Sequence, residues 1–476
     1  MLIPPLLQKG DYIYGSFIKP EIINGYIKSS NPSNKEELIG QYLFSYSSIS
    51  QAIAYAKASH LQWQKKSVVS RMVPIQKLQE DIVKNHSFIT KAISLESGSP
   101  LHEASAEVNE TILFLQYLID ASPAILEEIQ QKKYTQVPLS LGCLFVLTPH
   151  VHSFFFGIVF CASALISGNV VVHKPSRYTP AIGQLVAEIW DRCSLKRGVY
   201  NMVQGPGTHI SQQVIKNTLL DGIIFCGEYD TANIIHRRTP THLPLRLFCG
   251  GKGTALVRPD ADIDETCNTI ISAFTHSSGQ SPYGLSRIFV HESIIEDVLE
   301  TIETRIKSLK IAAPDAEQPS QLGPLISEQS LRQYIQQGES ISKEGHTAVC
   351  PADKHTNDEG FFVVPSLYRM YISAKDLFLD IELKGPTLLV YPYSKESDAV
   401  TMIKKIAYRR SLSIFSKSES EITEEQLGFG RVSYNKTYLL PIASTMPHGK
   451  CGNGYREGLG LVRSLIQYVN KERTSS

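Results

Sequence analysis

The sequence predicts an α/β protein built on parallel sheets. From Gly142 onwards, short apolar runs alternate with segments of helical period, and such alternation is typical of a parallel sheet with crossover helices. The 476 residues suffice for two to three domains at about 150 residues each. Hydrophobic residues make up 42% of the chain and charged residues 20%, which indicates a large globule with an ample core and excludes a disordered chain.

The first hundred residues or so are predicted to be mainly helical, because apolar residues recur at three-to-four spacing over 47–64 and 70–85. Four β-branched or apolar runs after it are predicted strands, over 143–147, 169–173, 199–203 and 222–225. The longest apolar run, 154–166, is shorter than the roughly 18 to 20 residues that a membrane span needs. We therefore expect it to form a buried helix.

Two further sequence patterns predict how the α/β structure continues along the chain. Thr179 and Pro180 resemble an N-cap followed by proline at the first helical position, and predict a helix over 181–193. A second α/β region is predicted over 250–432, beginning with a strand over 254–257, a helix from Asp262 and a strand over 287–290. The polar stretch 351–360 is a predicted exposed loop.

Charge and cysteine content exclude several classes of function. The chain has 47 Lys and Arg against 46 Asp and Glu, so no bulk charge favours nucleic acid or an anionic membrane as a partner. Its eight cysteines are scattered without a CxxC pair, which argues against structural zinc or a disulfide framework and for a reducing, cytoplasmic compartment. No signal peptide is readable at the N-terminus.

Five short motifs occur in a characteristic order: GNVVVHKPS at 168–176, FCG at 225–227, CGGK at 249–252, GQ at 279–280 followed by Arg287, and ELKGP at 382–386. In this order, over roughly residues 40–460, the chain resembles the aldehyde dehydrogenase superfamily. The separation of Phe248 from Pro282 equals that of the family's base and nucleophile. The segments LISEQ at 325–329, YNK at 434–436 and ASTMP at 443–447 look most like the succinylglutamate semialdehyde dehydrogenases of arginine catabolism.

The resemblance implies the aldehyde dehydrogenase fold. Residues 1–129 and 142–248 would form a Rossmann-like cofactor domain, residues 249–455 an α/β catalytic-type domain, and residues 130–141 and 456–476 a small β oligomerisation arm. The family chemistry is NAD(P)-dependent oxidation of an aldehyde: a thiolate attacks, two donors hold the oxyanion, hydride passes to the nicotinamide, and a carboxylate activates water. A homodimer or higher oligomer is expected.

The residues at the family's catalytic positions do not suit this chemistry. The nucleophile position falls on Pro282, which has neither a thiol nor a backbone N–H for the oxyanion. The position of the water-activating glutamate falls on Phe248, and that of the side-chain oxyanion donor on Val151. We therefore predict a pseudoenzyme that has lost aldehyde oxidation and acts by binding a small molecule or a protein partner.

Other readings remain open. Anchoring the resemblance on 272–274 moves the nucleophile position to Ser281, which has no base within the motif, and an unactivated hydroxyl is a poor nucleophile. Cys249 is the nearest thiol, but it follows Phe248 on a predicted strand and should point away from the site. The alternatives are an active NAD(P)-dependent semialdehyde dehydrogenase, an enzyme of altered chemistry using Ser281 or a nearby histidine, and a structural role beside an active paralogue.

The implied cofactor residues are better preserved. By the resemblance, Lys174 contacts the adenosine ribose of NAD or NADP and Glu382 the nicotinamide ribose. Arg177 replaces a family glutamate, which removes a ribose acceptor and suits a 2′-phosphate. Together, the two matching residues and this replacement make NAD or NADP the possible cofactor.

The turn that would bind the pyrophosphate differs more from the family pattern than the ribose-contacting residues do. It runs over 227–232 and includes Gly227 and Thr231, but Glu228 and Asp230 place carboxylates where phosphate would lie. Lys384 replaces the phenylalanine that packs near the nicotinamide. Both changes argue against dinucleotide binding. The flanking histidines are not spaced as metal ligands, and no metal site is predicted; they are His150, His152, His276 and His448.

Overall fold

The computed structural model describes residues 8–130, 134–207, 214–316, 319–357, 359–371, 378–379, 381–406, 409–418, 428–437 and 459–472. Its strands are β1 Asp11–Ile13, β2 Ser16–Ile18, β3 Gly25–Ser30, β4 Leu38–Phe44, β5 Ile129–Gln130, β6 Tyr134–Ser140, β7 Cys143–Leu147, β8 Val170–Lys174, β9 Tyr200–Met202, β10 Gly222–Cys226, β11 Leu245–Phe248, β12 Gly253–Val257, β13 Leu285–His291, β14 Thr347–Cys350, β15 Asp353–Lys354, β16 Val363–Val364, β17 Ser366–Arg369, β18 Thr387–Tyr393, β19 Ser411–Phe415, β20 Arg431–Tyr434 and β21 Ile466–Glu472.

The helices surround and connect these strands. They are α1 Tyr46–Gln64, α2 Val68–Lys84, α3 His86–Ser97, α4 Leu101–Ile125, α5 Ser153–Ile166, α6 Pro180–Arg192, α7 Tyr229–Arg238, α8 Ile263–Thr275, α9 Ile295–Ser308, α10 Glu328–Lys343, α11 Glu396–Ile403 and α12 Leu459–Ser464.

Two seven-stranded sheets organise the chain. The first has the order β11-β10-β7-β8-β9-β1-β2, and its strands β7 to β11 are parallel. The second has the order β14-β17-β18-β13-β12-β19-β20 and is parallel except for β14. These sheets confirm the predicted α/β class.

A third, antiparallel sheet joins distant parts of the sequence. Its order is β21-β6-β5, with Ile466 of β21 opposite Ser140 and Glu472 opposite Tyr134. These strands fall within the segments predicted to form the β arm, apart from the start of β5. Two-stranded hairpins, β3–β4 and β15–β16, complete the described sheets.

The predicted buried helix is α5, whose residues are all buried. Its apolar side chains fill the space between the first sheet and the surrounding helices, with the Phe156 and Phe160 rings stacked at 5.2 Å. Among the described residues, no helix combines the length and apolar character needed to cross a membrane.

Two local predictions were wrong. Strands β1 to β4 occupy a region predicted to be mainly helical, because they are short or partly exposed and lack a clean alternation. The predicted loop over 351–360 contains β15. Thr179 is the N-cap residue of α6 and Pro180 begins the helix, as predicted. The Thr179 side chain makes no cap, and the backbone N–H groups of Ala181 and Ile182 donate to Glu96 at 2.8 and 2.7 Å.

Candidate active site

A cleft of about 650 Å³ lies between the two large sheets. One wall consists of loops that follow β7, β8, β10 and β11, at the carboxyl ends of parallel strands. The other wall comes from the loop before β13, the segment before β18 and the first turns of α10. Carboxyl ends of parallel strands are where α/β proteins hold ligands, so this cleft is the candidate site.

Three residues singled out from the sequence meet in the cleft. Val151, Phe248 and Pro282 all line it. Val151 and Pro282 are half-buried, whereas Phe248 is 4% exposed and its ring lies 4.8 Å from that of Phe160. None of the three side chains can donate or accept a hydrogen bond, so this part of the wall is apolar.

Cys249 lies in the lining of the same cleft as Phe248. Strand β11 ends at Phe248, so the alternation of side chains along a strand does not extend to the next residue. Burial raises the pKa of the Cys249 thiol to about 11. The thiol is therefore protonated near neutral pH, where the reactive thiolate is scarce.

Two buried lysines also line the cleft. Lys174 is the last residue of β8, and Lys252 precedes β12 and donates from Nζ to the Gly385 carbonyl at 2.8 Å. Burial lowers the pKa of both ammonium groups to about 7, and the neighbouring Arg177 adds to the effect at Lys174. Among the described residues Lys174 forms no ion pair, so a ligand anion would stabilise its charged form.

An ion pair connects the two walls at the predicted pyrophosphate turn. Glu228 directly precedes α7, but its side chain accepts no helix N–H. Lys384 Nζ donates to Glu228 Oε1 at 3.1 Å instead. Gly227 and Thr231 line the cleft beside this pair, while Asp230 is exposed in the first turn of α7 and does not line the cleft.

A second contact between the walls involves Arg177. Its guanidinium donates to the Tyr178 hydroxyl at 2.8 Å and to Gln329 Oε1 at 3.3 Å, and lies 4.8 Å from the centre of the Tyr178 ring. Glu382 is half-buried and lines the cleft from the opposite wall. The structure thus brings the predicted cofactor residues into one cavity.

Next to the apolar wall lies a group of polar side chains that we call the buried polar cluster, each at most 9% exposed: Glu103, Glu107, His152, His276 and Ser281. Ser281 Oγ is 3.1 Å from His152 Nε2, and His152 Nδ1 is 3.9 Å from Glu107 Oε2. His276 Nδ1 is 3.2 Å from Glu103 Oε1, and the two imidazole rings stack at 5.6 Å.

Left-handed backbone conformations shape this cluster. His152 precedes α5 with φ 49° and makes no side-chain cap, so Glu107 Oε1 accepts the Phe155 N–H at 3.0 Å in its place. Ser277 and Ser278 have φ 52° and 54°, and the Ser277 N–H donates to Glu103 Oε2 at 3.0 Å. Such conformations are costly for residues other than glycine and persist where surrounding contacts impose them.

The electrostatics of the cluster favour a neutral histidine beside the serine. Burial, together with the nearby His276 and His150, lowers the pKa of His152 well below its usual value. Ser281 Oγ accepts the Tyr283 N–H at 3.2 Å, so its own O–H remains available to donate to His152 Nε2. Burial raises the pKa of Glu107 to about 7.

Sequence reasoning missed Glu103 and Glu107. They lie four residues apart on one face of α4, beside apolar residues such as Ala104 and Val108 that are fully buried. Two carboxylates in an apolar stripe are unusual unless they are paired or hydrogen-bonded. That pattern is the signal by which they could have been found.

The other two histidines singled out from the sequence, His150 and His448, are not part of the buried polar cluster. His150 is half-buried in the cleft wall, and burial lowers its pKa to about 4. His448 lies outside the described residues. Within the part of the chain that the structure describes, no three His, Cys, Asp or Glu side chains are arranged to hold a metal ion.

Comparison with known proteins decides the family. The model of the aldehyde dehydrogenase family matches residues 17–469. The chain belongs to the aldehyde dehydrogenase family. It is 25% identical over 432 residues to hydroxyisobutyraldehyde dehydrogenase of Mycolicibacterium austroafricanum, covering 88% of this chain and 85% of that protein. It is 23% identical over 440 residues to 1-pyrroline-5-carboxylate dehydrogenase of Bacillus mycoides, covering 89% and 84%.

Solved structures agree on the fold. NAD-dependent aldehyde dehydrogenase from Sinorhizobium meliloti superposes with a TM-score of 0.92 at 21% identity, covering 99% of this chain and 96% of that one. Lactaldehyde dehydrogenase from Escherichia coli gives a TM-score of 0.91 at 22% identity, covering 98% and 99%. The predicted aldehyde dehydrogenase fold is confirmed. The named relatives above are not succinylglutamate semialdehyde dehydrogenases.

Proposed function

We propose that this aldehyde dehydrogenase family protein does not oxidise aldehydes and instead binds a small anionic molecule in the cleft. The observation that carries the proposal is Pro282 on the cleft wall. Proline offers neither a nucleophile nor an N–H to an oxyanion. Val151 and Phe248 line the same cleft and cannot replace the missing donor and base.

The charge of the cleft supports an anionic ligand. Among the described residues, six basic residues line it, against the carboxylates of Glu228 and Glu382: Lys174, Arg177, Arg238, Lys252, Lys384 and Arg410. Lys174 is buried without an ion pair among the described residues, and a buried ammonium group without a partner is unfavourable unless it is neutral. A ligand anion would supply that partner.

NAD or NADP fits this cleft only in part. Lys174 and Glu382 line it as the family resemblance implies. However, Glu228 places a carboxylate before the α7 N-terminus, where the helix dipole would otherwise favour a phosphate, and Lys384 is already paired with that carboxylate. The pyrophosphate therefore does not fit this turn, and the proposed function does not depend on a bound dinucleotide.

The test is a pair of measurements on the purified protein. Formation of reduced nicotinamide from NAD or NADP should stay at background with semialdehydes and simple aldehydes. The melting temperature should rise with small phosphorylated or carboxylated ligands, since a ligand at 100 times its dissociation constant stabilises the folded state by about 2.7 kcal/mol. Turnover that survives mutation of both Ser281 and Cys249 would contradict the proposal.

We further propose a cytoplasmic homodimer or higher oligomer that assembles through the β21-β6-β5 sheet. Tyr468 and Val469 on β21 are 42% and 41% exposed, and Ile129 on β5 is 42% exposed. Descent from a succinylglutamate semialdehyde dehydrogenase is supported by the three sequence segments alone. Light scattering of the wild type and of Tyr468→Asp tests the assembly, because a charge in an apolar contact should reduce the measured mass.

A further inference from the structure

We propose that Lys174 forms a reversible imine with a small carbonyl compound that also carries a carboxylate, and that Arg177 binds the carboxylate. The inference rests on the proposed function, because the site is the same cleft and the compound is the anion that binds there. It adds a covalent bond to one named lysine and a chemical class for the ligand.

The position of Lys174 in the first sheet directs its amine into the cleft. In the register of the parallel strands, Lys174 at the end of β8 lies beside Leu147 of β7, which in turn lies beside Phe225 of β10. Residues paired in this way share one face of a sheet, and all three line the cleft. Lys174 therefore stands at the end of an apolar row and is only 5% exposed.

Three of the described lysines line the cleft, and Lys174 differs from the other two in its contacts. Lys252 Nζ donates to the Gly385 carbonyl at 2.8 Å, and Lys384 Nζ donates to Glu228 Oε1 at 3.1 Å. Nothing in the described part of the chain accepts a hydrogen bond from Lys174 Nζ. Its amine is thus the one of the three that is free to turn toward a ligand.

The surroundings of Lys174 also favour the reactive form of the amine. Burial lowers its pKa to about 7, and the positive charge of Arg177 adds to the effect. About half of the Lys174 amines are then neutral at pH 7, against about three in ten thousand at the ordinary pKa of 10.5. The neutral amine has the lone pair that adds to a carbonyl carbon, and desolvated lysines act as nucleophiles in this way.

Arg177 supplies donors for an anionic group of the ligand. Its contacts with Tyr178 and Gln329 both use Nη2, so three of its five N–H groups have no acceptor among the described residues. Arg177 lines the cleft three residues after Lys174, close enough for its charge to act on that amine. Charge-assisted hydrogen bonds from arginine to an anion are short and strong.

The charge of the cleft favours a carboxylate over a phosphate as this anionic group. Glu228 and Glu382 line the same cleft. Their negative charges repel a dianionic phosphate more than a singly charged carboxylate. The ligand class is therefore a small oxo acid, with its carbonyl group at Lys174 and its carboxylate at Arg177.

Imine formation balances without a redox partner. The lone pair of neutral Lys174 Nζ adds to the carbonyl carbon, and the carbonyl oxygen takes up a proton that Nζ releases. The resulting hydroxyl group then leaves as water with the second proton of Nζ, while the carbon–nitrogen double bond forms. An amine and a carbonyl compound thus give an imine and water, and hydrolysis reverses the step.

The experiment is trapping of the imine in the full chain with 4-carboxybenzaldehyde and sodium cyanoborohydride, which reduces an imine to a stable secondary amine. Peptide mass spectrometry then locates the label. Lys174 should react about 100-fold faster than Lys343, whose side chain is 78% exposed on α10, because the amine of an exposed lysine is almost entirely protonated. Label on Lys252 or Lys384 in place of Lys174 would overturn the assignment.

A matched probe tests the carboxylate. The molecule 4-carbamoylbenzaldehyde has the same shape and an uncharged amide in place of the carboxylate. It should label Lys174 about tenfold more slowly, the effect expected from loss of one charge-assisted hydrogen bond. Arg177→Gln should remove this difference, and Arg177 is exposed, so its replacement leaves the core intact. Equal rates for the two aldehydes in the wild type would overturn the proposed ligand class.

A second variant separates the covalent bond from the charge. Lys174→Arg keeps a positive charge but cannot form an imine, so label at this position should disappear. Lys343→Arg makes the same exchange at an exposed site and should label at Lys174 like the wild type. Circular dichroism confirms that each variant is folded. The location of label in the wild type needs no variant and decides the proposal even if Lys174→Arg does not fold.

Failure of the imine is distinguishable from failure of the proposed function. The molecule 4-methylbenzoate has the carboxylate but no carbonyl group that an amine can attack. A rise in melting temperature with 4-methylbenzoate, together with no label on Lys174 from 4-carboxybenzaldehyde, would overturn the imine and leave the anion-binding function standing. Neither a rise nor a label would contradict both.

Discussion

Protein surfaces are usually more polar than protein interiors, but the cleft wall and the buried polar cluster show the opposite arrangement. The wall that a ligand would touch is apolar at Val151, Phe248 and Pro282, whereas the adjacent interior holds two carboxylates, two imidazoles and a hydroxyl. Buried polar groups are costly unless hydrogen-bonded, and here most are paired with each other or with backbone N–H groups. The comparison shows that these polar groups lie in the interior behind the apolar part of the wall and not on that part itself.

The largest effect is expected from the loop that separates the two regions. Gly279 has φ +66°, and a Cβ there would lie 2.3 Å from backbone atoms of Gly385 and Pro386. Gly279→Ala should therefore lower the free energy of unfolding by about 4 kcal/mol or more, measured by urea denaturation. Gly207→Ala is the control, because a Cβ there meets nothing within 4 Å. Equal stability of the two variants would show that the loop can rearrange.

The interior should be sensitive to loss of a carboxylate. Glu107→Leu leaves the Phe155 N–H without its acceptor and should cost about 1 to 3 kcal/mol. Glu107→Gln keeps an amide oxygen at the same place and should recover most of that loss. Thermal melting of the wild type and the two variants at one pH distinguishes a hydrogen-bonding role of Glu107 from a packing role. If the role were packing, the leucine variant would have a higher melting temperature than the glutamine variant.

The difference in stability between the wild type and Glu107→Gln should depend on pH. The pKa of Glu107 is raised from 4.5 to about 7, so the folded state keeps a proton that the unfolded chain has released. This contribution to stability is complete below pH 4.5 and is lost as the pH rises to about 7. Stability of Glu107→Gln relative to the wild type should therefore rise over this range. His152, His276 and Glu103 face the carboxyl in both proteins and are unchanged.

A smaller effect is expected on the cleft side. Glu228→Ser removes a carboxylate from the α7 N-terminus and releases Lys384, and should tighten NADP binding by about 1 kcal/mol, or roughly fivefold. Isothermal titration calorimetry measures the affinity. Asp230→Asn is the matched control, because Asp230 is exposed in the same turn but does not line the cleft. An equal gain in both variants would indicate a general charge effect.

The smallest effect is expected at the wall itself. Val151 is half-buried, and Val151→Thr exchanges a methyl group for a hydroxyl that can reach cleft water. The free energy of unfolding should change by less than about 0.5 kcal/mol. A loss of about 2 kcal/mol by urea denaturation would mean that the wall is as tightly packed as the interior.

The sequence predicted the fold and the cleft better than the interior. Alternating apolar runs and helical segments were enough to predict the parallel sheets, and the order of the motifs was enough to predict that Val151, Phe248 and Pro282 share one site. The contact between Ser281 and His152 could not be predicted, because it depends on the left-handed backbone of His152 and on α4 bringing Glu107 to the start of α5. Neither has a local sequence pattern. The alternation assumed for Cys249 does not apply, because β11 ends at Phe248.

The pairing of β21 with β6 has a consequence for synthesis of the protein. During translation, β6 emerges long before β21, and until then the edge of β6 that β21 covers has no partner. Unpaired strand edges invite association with other chains, and contacts between distant segments form late in folding. The nascent chain should therefore be most prone to aggregation in the interval before β21 leaves the ribosome, so truncation before Ile466 should increase dependence on chaperones.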